Sequence, residues 1–248
     1  MVIKRWVLPA ICIVCVSCLI LSVPFFHSRP AMAEAQRELP TVVLDAGHGG
    51  IDGGAVAADG TSEKDINLAI TLKAEAFLRA FGVPTVMVRT DDRSIHDESA
   101  QTTRQIKVSD IHNRMKLFED TPNSILVSIH QNHYSSSSVR GAQVFYSKNT
   151  PSSADLAEQI QDVIRTQLQP WNDRKIKPSG SSIYLLYQAK ATAVLVECGF
   201  ISNPEENTLL HDEEYQGQMA FCIVQGILQY FHGGYDTDVT EGSDGTES

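Results

Sequence analysis

Short β-branched runs alternate along most of this chain with segments whose apolar residues recur every three or four positions. The runs are Thr41–Asp45, Pro84–Arg89, Ser124–His130, Gly141–Tyr146 and Ala193–Glu197, and each predicts a strand. Between the first two, Glu63–Ala80 carries Ile66, Ala69, Ile70, Leu72, Ala76, Phe77 and Ala80 at helical spacing. Thr61 or Ser62 can cap that helix, and Gly82 follows its end. Further helices are predicted over Thr103–Glu119, Ala154–Leu168 and Asp212–Tyr230, with a helical turn from Asn203 through Leu210. Trp171–Ser182 reads as a basic polar loop and Ile183–Leu186 as a short extended piece. Strands alternating with helices predict a single α/β domain, a mostly parallel twisted sheet with helices on both faces.

The two ends depart from this pattern. Lys4 and Arg5 precede an uncharged, largely apolar stretch from Trp6 to Phe26. Ala31-Met32-Ala33 then forms a small-x-small cleavage signature. Residues 1–33 therefore read as an export signal, with an uncleaved membrane anchor as the alternative because the apolar run is long. Residues 34–40 are a polar lead-in. Residues 232–248 read as an acidic disordered tail, since Gly233–Ser248 holds five acids and no base.

Charge narrows the partners. The chain of 248 residues has a formal charge of −10, with 20 Lys and Arg against 30 Asp and Glu. Lys4, Arg5 and Arg29 fall in the first 33 residues, which hold no acid, so the remainder has 17 against 30, or −13. Nucleic acid and anionic membrane surfaces do not suit so acidic a body. Cys12, Cys15 and Cys18 lie in the export segment. Cys198 and Cys222 alone make no disulfide framework, and Cys198 reads as a small buried hydrophobe.

Three of the strands end in ionisable residues. The first breaks at Ala46-Gly47-His48-Gly49-Gly50, which displays His48 on a glycine-rich turn. The others end at His130 and Glu197. Such residues gather at one rim of a parallel sheet. Glu63, at the head of the first helix, can reach the same rim. Two histidines and a carboxylate make a recurring catalytic zinc set, and a second carboxylate would remain free to act on water. The competing reading has Glu197 capping a helix or pairing with Arg89. Asp45 and Asp52 read either as orienting partners of His48 or as turn-formers. Arg89 and Arg104 could line the cleft or pair with acids. His133 could contact a substrate or sit at the surface, where His96, His112, His211 and His232 are also expected.

Four segments, LDAGHGGIDGGA, SEKDINL, SIHQNH and VLVECGFISNPEE, resemble the zinc-dependent N-acetylmuramoyl-L-alanine amidases of the amidase-3 family. The resemblance spans residues 41–231. GAQVFY, SIYLL and YQGQMAFCIVQGILQYF are similar to its spore-associated, germination-specific branch. Ala46 departs from the proline common at that position, and His133 and Cys198 are also unusual. The resemblance implies an amidase-3 fold of the phosphorylase/hydrolase type. It implies that His48, Glu63 and His130 hold Zn²⁺, with Glu197 as general base. It implies a peptidoglycan substrate, cut between the lactyl group of N-acetylmuramic acid and L-alanine, a step toward the muramic δ-lactam of spore cortex. The location implied is the cell wall or the space around a forespore. A zinc peptidase acting on stem peptides, or a silent wall-binding module, are the alternatives; the second would lack a ligand or the glutamate. The architecture has no wall-binding repeats, which leads to the expectation of a recruiting or activating partner protein.

Overall fold

A computed structural model describes residues 39–233. The export segment, most of the lead-in and residues 234–248 of the tail lie outside the described residues. Six strands form one sheet: β1 (Thr41–Ala46), β2 (Thr85–Met87), β3 (Ser124–Asn132), β4 (Gln143–Tyr146), β5 (Lys177–Pro178) and β6 (Ala193–Phe200). Their order is β2-β1-β3-β6-β4-β5. β2, β1, β3 and β6 run parallel, and β4 is antiparallel to β6. The helices are α1 (Glu63–Ala80), α2 (Thr103–Asp120), α3 (Ser152–Val163), α4 (Tyr184–Gln188), α5 (Pro204–His211) and α6 (Glu213–Gly233). A short π-helical turn, Ile164–Leu168, continues α3.

The runs Val42–Leu44, Ile125–Ile129 and Ala193–Val196 are apolar at nearly every position because both faces of the sheet are covered. α1, α3 and α6 bury one face around Leu44, Ile70, Val127, Ile160 and Ile223. α2 and α4 cover the other around Val43, Met115, Leu126, Leu186 and Leu195. Among the described residues no helix is long and apolar enough to cross a membrane.

Several predicted boundaries move. Ile183–Leu186 is not extended: Tyr184–Gln188 forms α4, which lays Leu185 and Leu186 on the sheet. β3 and β6 continue past His130 and Glu197, so both residues sit inside the sheet ladder and pair in register. α6 runs to Gly233, three residues beyond its predicted end, so His232 is helical. Ser62 precedes α1 without a side-chain cap; Gly82 and Val83 close its other end by bonding Arg79 O and Leu78 O. The inner face of α2 is less apolar than its spacing predicts: Asp110 and Arg114 are buried beside Met115 and Phe118.

Candidate metal centre and active site

Register assembles the site. Ala46 ends β1 opposite Ile129, so the glycine turn leaves the sheet one residue short of His130. His130 then faces Glu197 across the β3–β6 pair. Glu63 begins α1, where its charge favours the helix N-terminus. Its position is set by the loop before it, since Glu63 N donates to Ala55 O and Lys64 N to Gly53 O. Gly47 lies flat against the His130 ring; a Cβ there would sit 2.2 Å from its Nε2.

The structure brings His48, Glu63 and His130 together, with one ligand-capable atom of each within 4.8 Å of the others. His48 Nε2 lies 3.3 Å from Glu63 Oε2, and His130 Nδ1 lies 2.9 Å from Glu63 Oε1. The far nitrogen of His48, Nδ1, is 2.8 Å from Asp52 Oδ2. Asp52 Oδ1 accepts from Lys107 Nζ at 2.7 Å. Burial alone would lower the His48 pKa, but its bonds to Asp52 and Glu63 outweigh that and raise it to about 9. Burial alone would raise the Glu63 carboxyl, but the two histidines hold it well below the usual carboxylate range. The bond to His48, then Lys107, keep Asp52 low as well. Ala55 N, Gln131 N and Asn67 Nδ2 also donate to the Glu63 carboxylate.

Glu197 lines the same cavity, of about 300 Å³, with His48, Asp52, His130 and, from α4, Tyr184 and Leu186. Its Oε2 is buried without a hydrogen-bond partner. Burial pushes its pKa up to about 7; His130 opposes this and the Glu63 charge adds to it. The donor set suits a divalent ion of zinc type, which accepts imidazole nitrogen and carboxylate oxygen. A partly buried carboxylate with one unpaired oxygen beside it is the kind of group that works as a proton acceptor. A larger groove, about 660 Å³, opens at the opposite end of the strands near Pro40, Lys190 and Tyr230, but no histidine lines it.

The alternatives for Glu197, Asp45, Asp52 and Arg89 separate. Glu197 neither caps a helix nor pairs with Arg89. Asp52 partners His48, whereas Asp45 bonds Arg114 and Ser128. Arg89 is buried and donates to backbone carbonyls, neither lining the cleft nor pairing with an acid. Arg104 and His133 are exposed. His96 bonds Ser94, His211 bonds Asn207 and Thr61, and His112 packs on Tyr184. Asn67, Lys107, Arg114 and Gln131 were not anticipated. Of these, only Asn67 had a signal, being four residues after Glu63 on one helix.

A largely parallel α/β sheet that carries a histidine–carboxylate cluster beside a partly buried carboxylate suits an enzyme domain of hydrolase type. Residues 42–229 match the Amidase_3 family, N-acetylmuramoyl-L-alanine amidase, and the chain belongs to that family and to that class of enzyme. It is 35% identical over 190 residues to the germination-specific N-acetylmuramoyl-L-alanine amidase of Bacillus subtilis, covering 77% of this chain and 79% of the relative. Among solved structures it is similar to the CwlD amidase from Clostridioides difficile in complex with the GerS lipoprotein. The TM-score there is 0.75 at 42% identity, over 78% of this chain and 98% of the other. The AmiC2 amidase of Nostoc punctiforme aligns with a TM-score of 0.68 at 31% identity, over 79% and 98%.

Proposed function

We propose that this chain is a zinc-dependent amidase that hydrolyses the amide between the lactyl group of N-acetylmuramic acid and L-alanine in peptidoglycan. The observation that carries the reading is the convergence of His48, Glu63 and His130 beside the unpartnered carboxylate of Glu197. His48 through Nε2, Glu63, and His130 through Nδ1 would hold Zn²⁺, and three protein ligands leave a position for chemistry. Zinc held there would supply Lewis acidity, which polarises an amide carbonyl and acidifies water. Glu197 takes the proton of the attacking water and returns it to the departing amine of L-alanine. In the metal-free site burial pushes the Glu197 carboxyl up to about 7, and the charge of a bound ion would favour the ionised form that accepts a proton. Asp52 fixes the His48 ring by accepting from Nδ1, leaving Nε2 turned toward Glu63.

The wider role is read from the relatives. Similarity to a germination-specific amidase supports action on spore cortex, as a step toward muramic δ-lactam. An exported protein with an N-terminal signal in residues 1–33, a catalytic domain over 41–231 and an acidic tail fits that role. The lipoprotein bound to the similar clostridial amidase supports a recruiting or activating partner here.

Mass spectrometry of muropeptides after digestion of sacculi, with and without a chelator, tests the reaction. The expected products are stem peptides beginning at L-alanine and glycan bearing a free lactyl carboxyl, both lost on chelation. Cuts within the stem peptide, or cleavage indifferent to the chelator, would refute it.

A further inference from the structure

Two buried arginines have no part in this chemistry, yet both bind the turn that carries His48. Arg89, just after β2, is 1% exposed, and Arg114, on α2, is 2% exposed. Arg89 donates through Nε to Ala46 O (2.8 Å), through Nη2 to Gly47 O (3.1 Å) and Lys64 O (2.8 Å), and through Nη1 to Asp91 O (3.0 Å). Arg114 donates through Nη1 to Ala46 O (2.9 Å) and through Nη2 to His48 O (2.6 Å). Three successive carbonyls, those of residues 46, 47 and 48, are thus held by two guanidinium groups.

Each arginine also reaches a second element of the site. Lys64, whose carbonyl Arg89 binds, directly follows Glu63. Arg114 Nη1 lies 2.5 Å from Asp45 Oδ1, and Asp45 Oδ2 accepts from Ser128 Oγ at 2.6 Å. Ser128 is two residues before His130 on β3, so its side chain leaves the same face. Asp110 holds the other edge of Arg114 through Nε at 2.6 Å. His48 itself has φ of 63°, in the left-handed region that residues with a Cβ seldom adopt. Such a conformation persists only where its surroundings hold it.

We propose that Arg89 and Arg114 are positioning residues for the metal centre. They pin the carbonyls of residues 46–48, Arg89 ties that turn to the Glu63 end of α1, Arg114 ties it to the His130 strand, and together they keep His48 left-handed and aimed at the other two ligands. The inference rests on the metal reading above. Lysine cannot substitute, because it offers its donors from one point, whereas these acceptors need a planar fork.

The test compares Arg89→Lys, Arg114→Lys and Ser128→Ala with Leu78→Ala, a core truncation on α1 away from the site. The readouts are zinc affinity by chelator competition, the visible spectrum of the Co²⁺-loaded protein and thermal unfolding without metal. Each arginine variant should bind zinc ~10–100-fold more weakly, with an altered cobalt spectrum. Ser128→Ala, which cuts the Asp45 link while leaving the strand ladder intact, should lose affinity by a smaller factor in the same direction, and carries the test where an arginine variant fails to fold. Leu78→Ala should lose stability but keep its zinc affinity and spectrum. Arginine variants that match wild type, or that lose no more affinity than Leu78→Ala, would overturn the proposal while leaving the metal reading intact. A wild-type protein that takes up neither zinc nor cobalt would overturn both.

Discussion

Glu197→Gln separates catalysis from stability, and the burial of Glu197 sets the size of the stability effect. In the metal-free domain, burial raises the Glu197 carboxyl from 4.5 to about 7. A carboxyl whose folded pKa lies above its unfolded value binds more protons when folded. Wild-type stability therefore falls as pH rises from 4.5 and levels off above about 7. The gap corresponds to ~3 kcal/mol at about 1.4 kcal/mol per pH unit. Glu197 retains some solvent contact, so ~1–3 kcal/mol is the expected cost of the ionised carboxylate. Glutamine keeps the shape and cannot ionise. The wild-type side chain already leaves Oε2 unpaired, so a polar atom unpaired in the variant adds little. With a chelator present, Glu197→Gln should unfold at a higher temperature than wild type at pH 8, by roughly 2–4 °C per kcal/mol for a domain this size. The two should converge near pH 5. Activity should fall ~10²–10⁴-fold, the usual contribution of a general base, with zinc content unchanged. A stability gap that is absent at pH 8, or constant from pH 5 to pH 8, would refute the assigned burial of charge. Turnover near wild type would refute the assigned base.

His130→Ala should leave the purified protein without stoichiometric zinc by elemental analysis; unchanged content would remove His130 from the ligand set. In the metal-free protein the bonds of His48 to Asp52 and Glu63 outweigh burial and raise its pKa to about 9, so an ion held by His48 would have to displace its proton at neutral pH. Zinc affinity, titrated against a competing chelator, should rise ~tenfold per pH unit from pH 7 toward 9, and a flat profile would contradict this. Gly47→Ala places a methyl 2.2 Å from His130 Nε2, so the ring must move. Zinc affinity should fall by at least ~tenfold, the lower end for groups that orient a ligand, and a wild-type value would contradict the packing.

Most of the fold was legible because a sheet covered on both faces needs nearly continuous apolar strands, as in Val42–Leu44 and Ile125–Ile129. That His48, His130 and Glu197 converge followed from apolar strands that each carry an ionisable residue toward the same end of the sheet, although His130 and Glu197 sit within the ladder and not at its end. Short apolar pieces were less legible. Ile183–Leu186 fits a strand or a helix by composition, and only contact with Leu195 and its neighbours in the core selects the helix. The end of β3 was hidden because the polar Gln131 and Asn132 continue the ladder past His130, and that of β6 because Cys198-Gly199-Phe200 reads as a turn. The roles of Arg89 and Arg114 leave no pattern in sequence. Their partners are carbonyls and acids brought together from β1, α1, α2 and the turn between them, and only the folded register shows them. Asp45 and Asp52 look alike as residues near a glycine turn, and are separated only by where their side chains reach.

The claim on which the rest stands is that His48, Glu63 and His130 grip one zinc ion. Crystals of the zinc-loaded domain, measured on either side of the zinc absorption edge, test it directly. The account predicts one strong anomalous peak in contact with all three side chains, with Glu197 close by but not bound to it. A peak elsewhere, or one lacking either histidine or Glu63 among its neighbours, would contradict it.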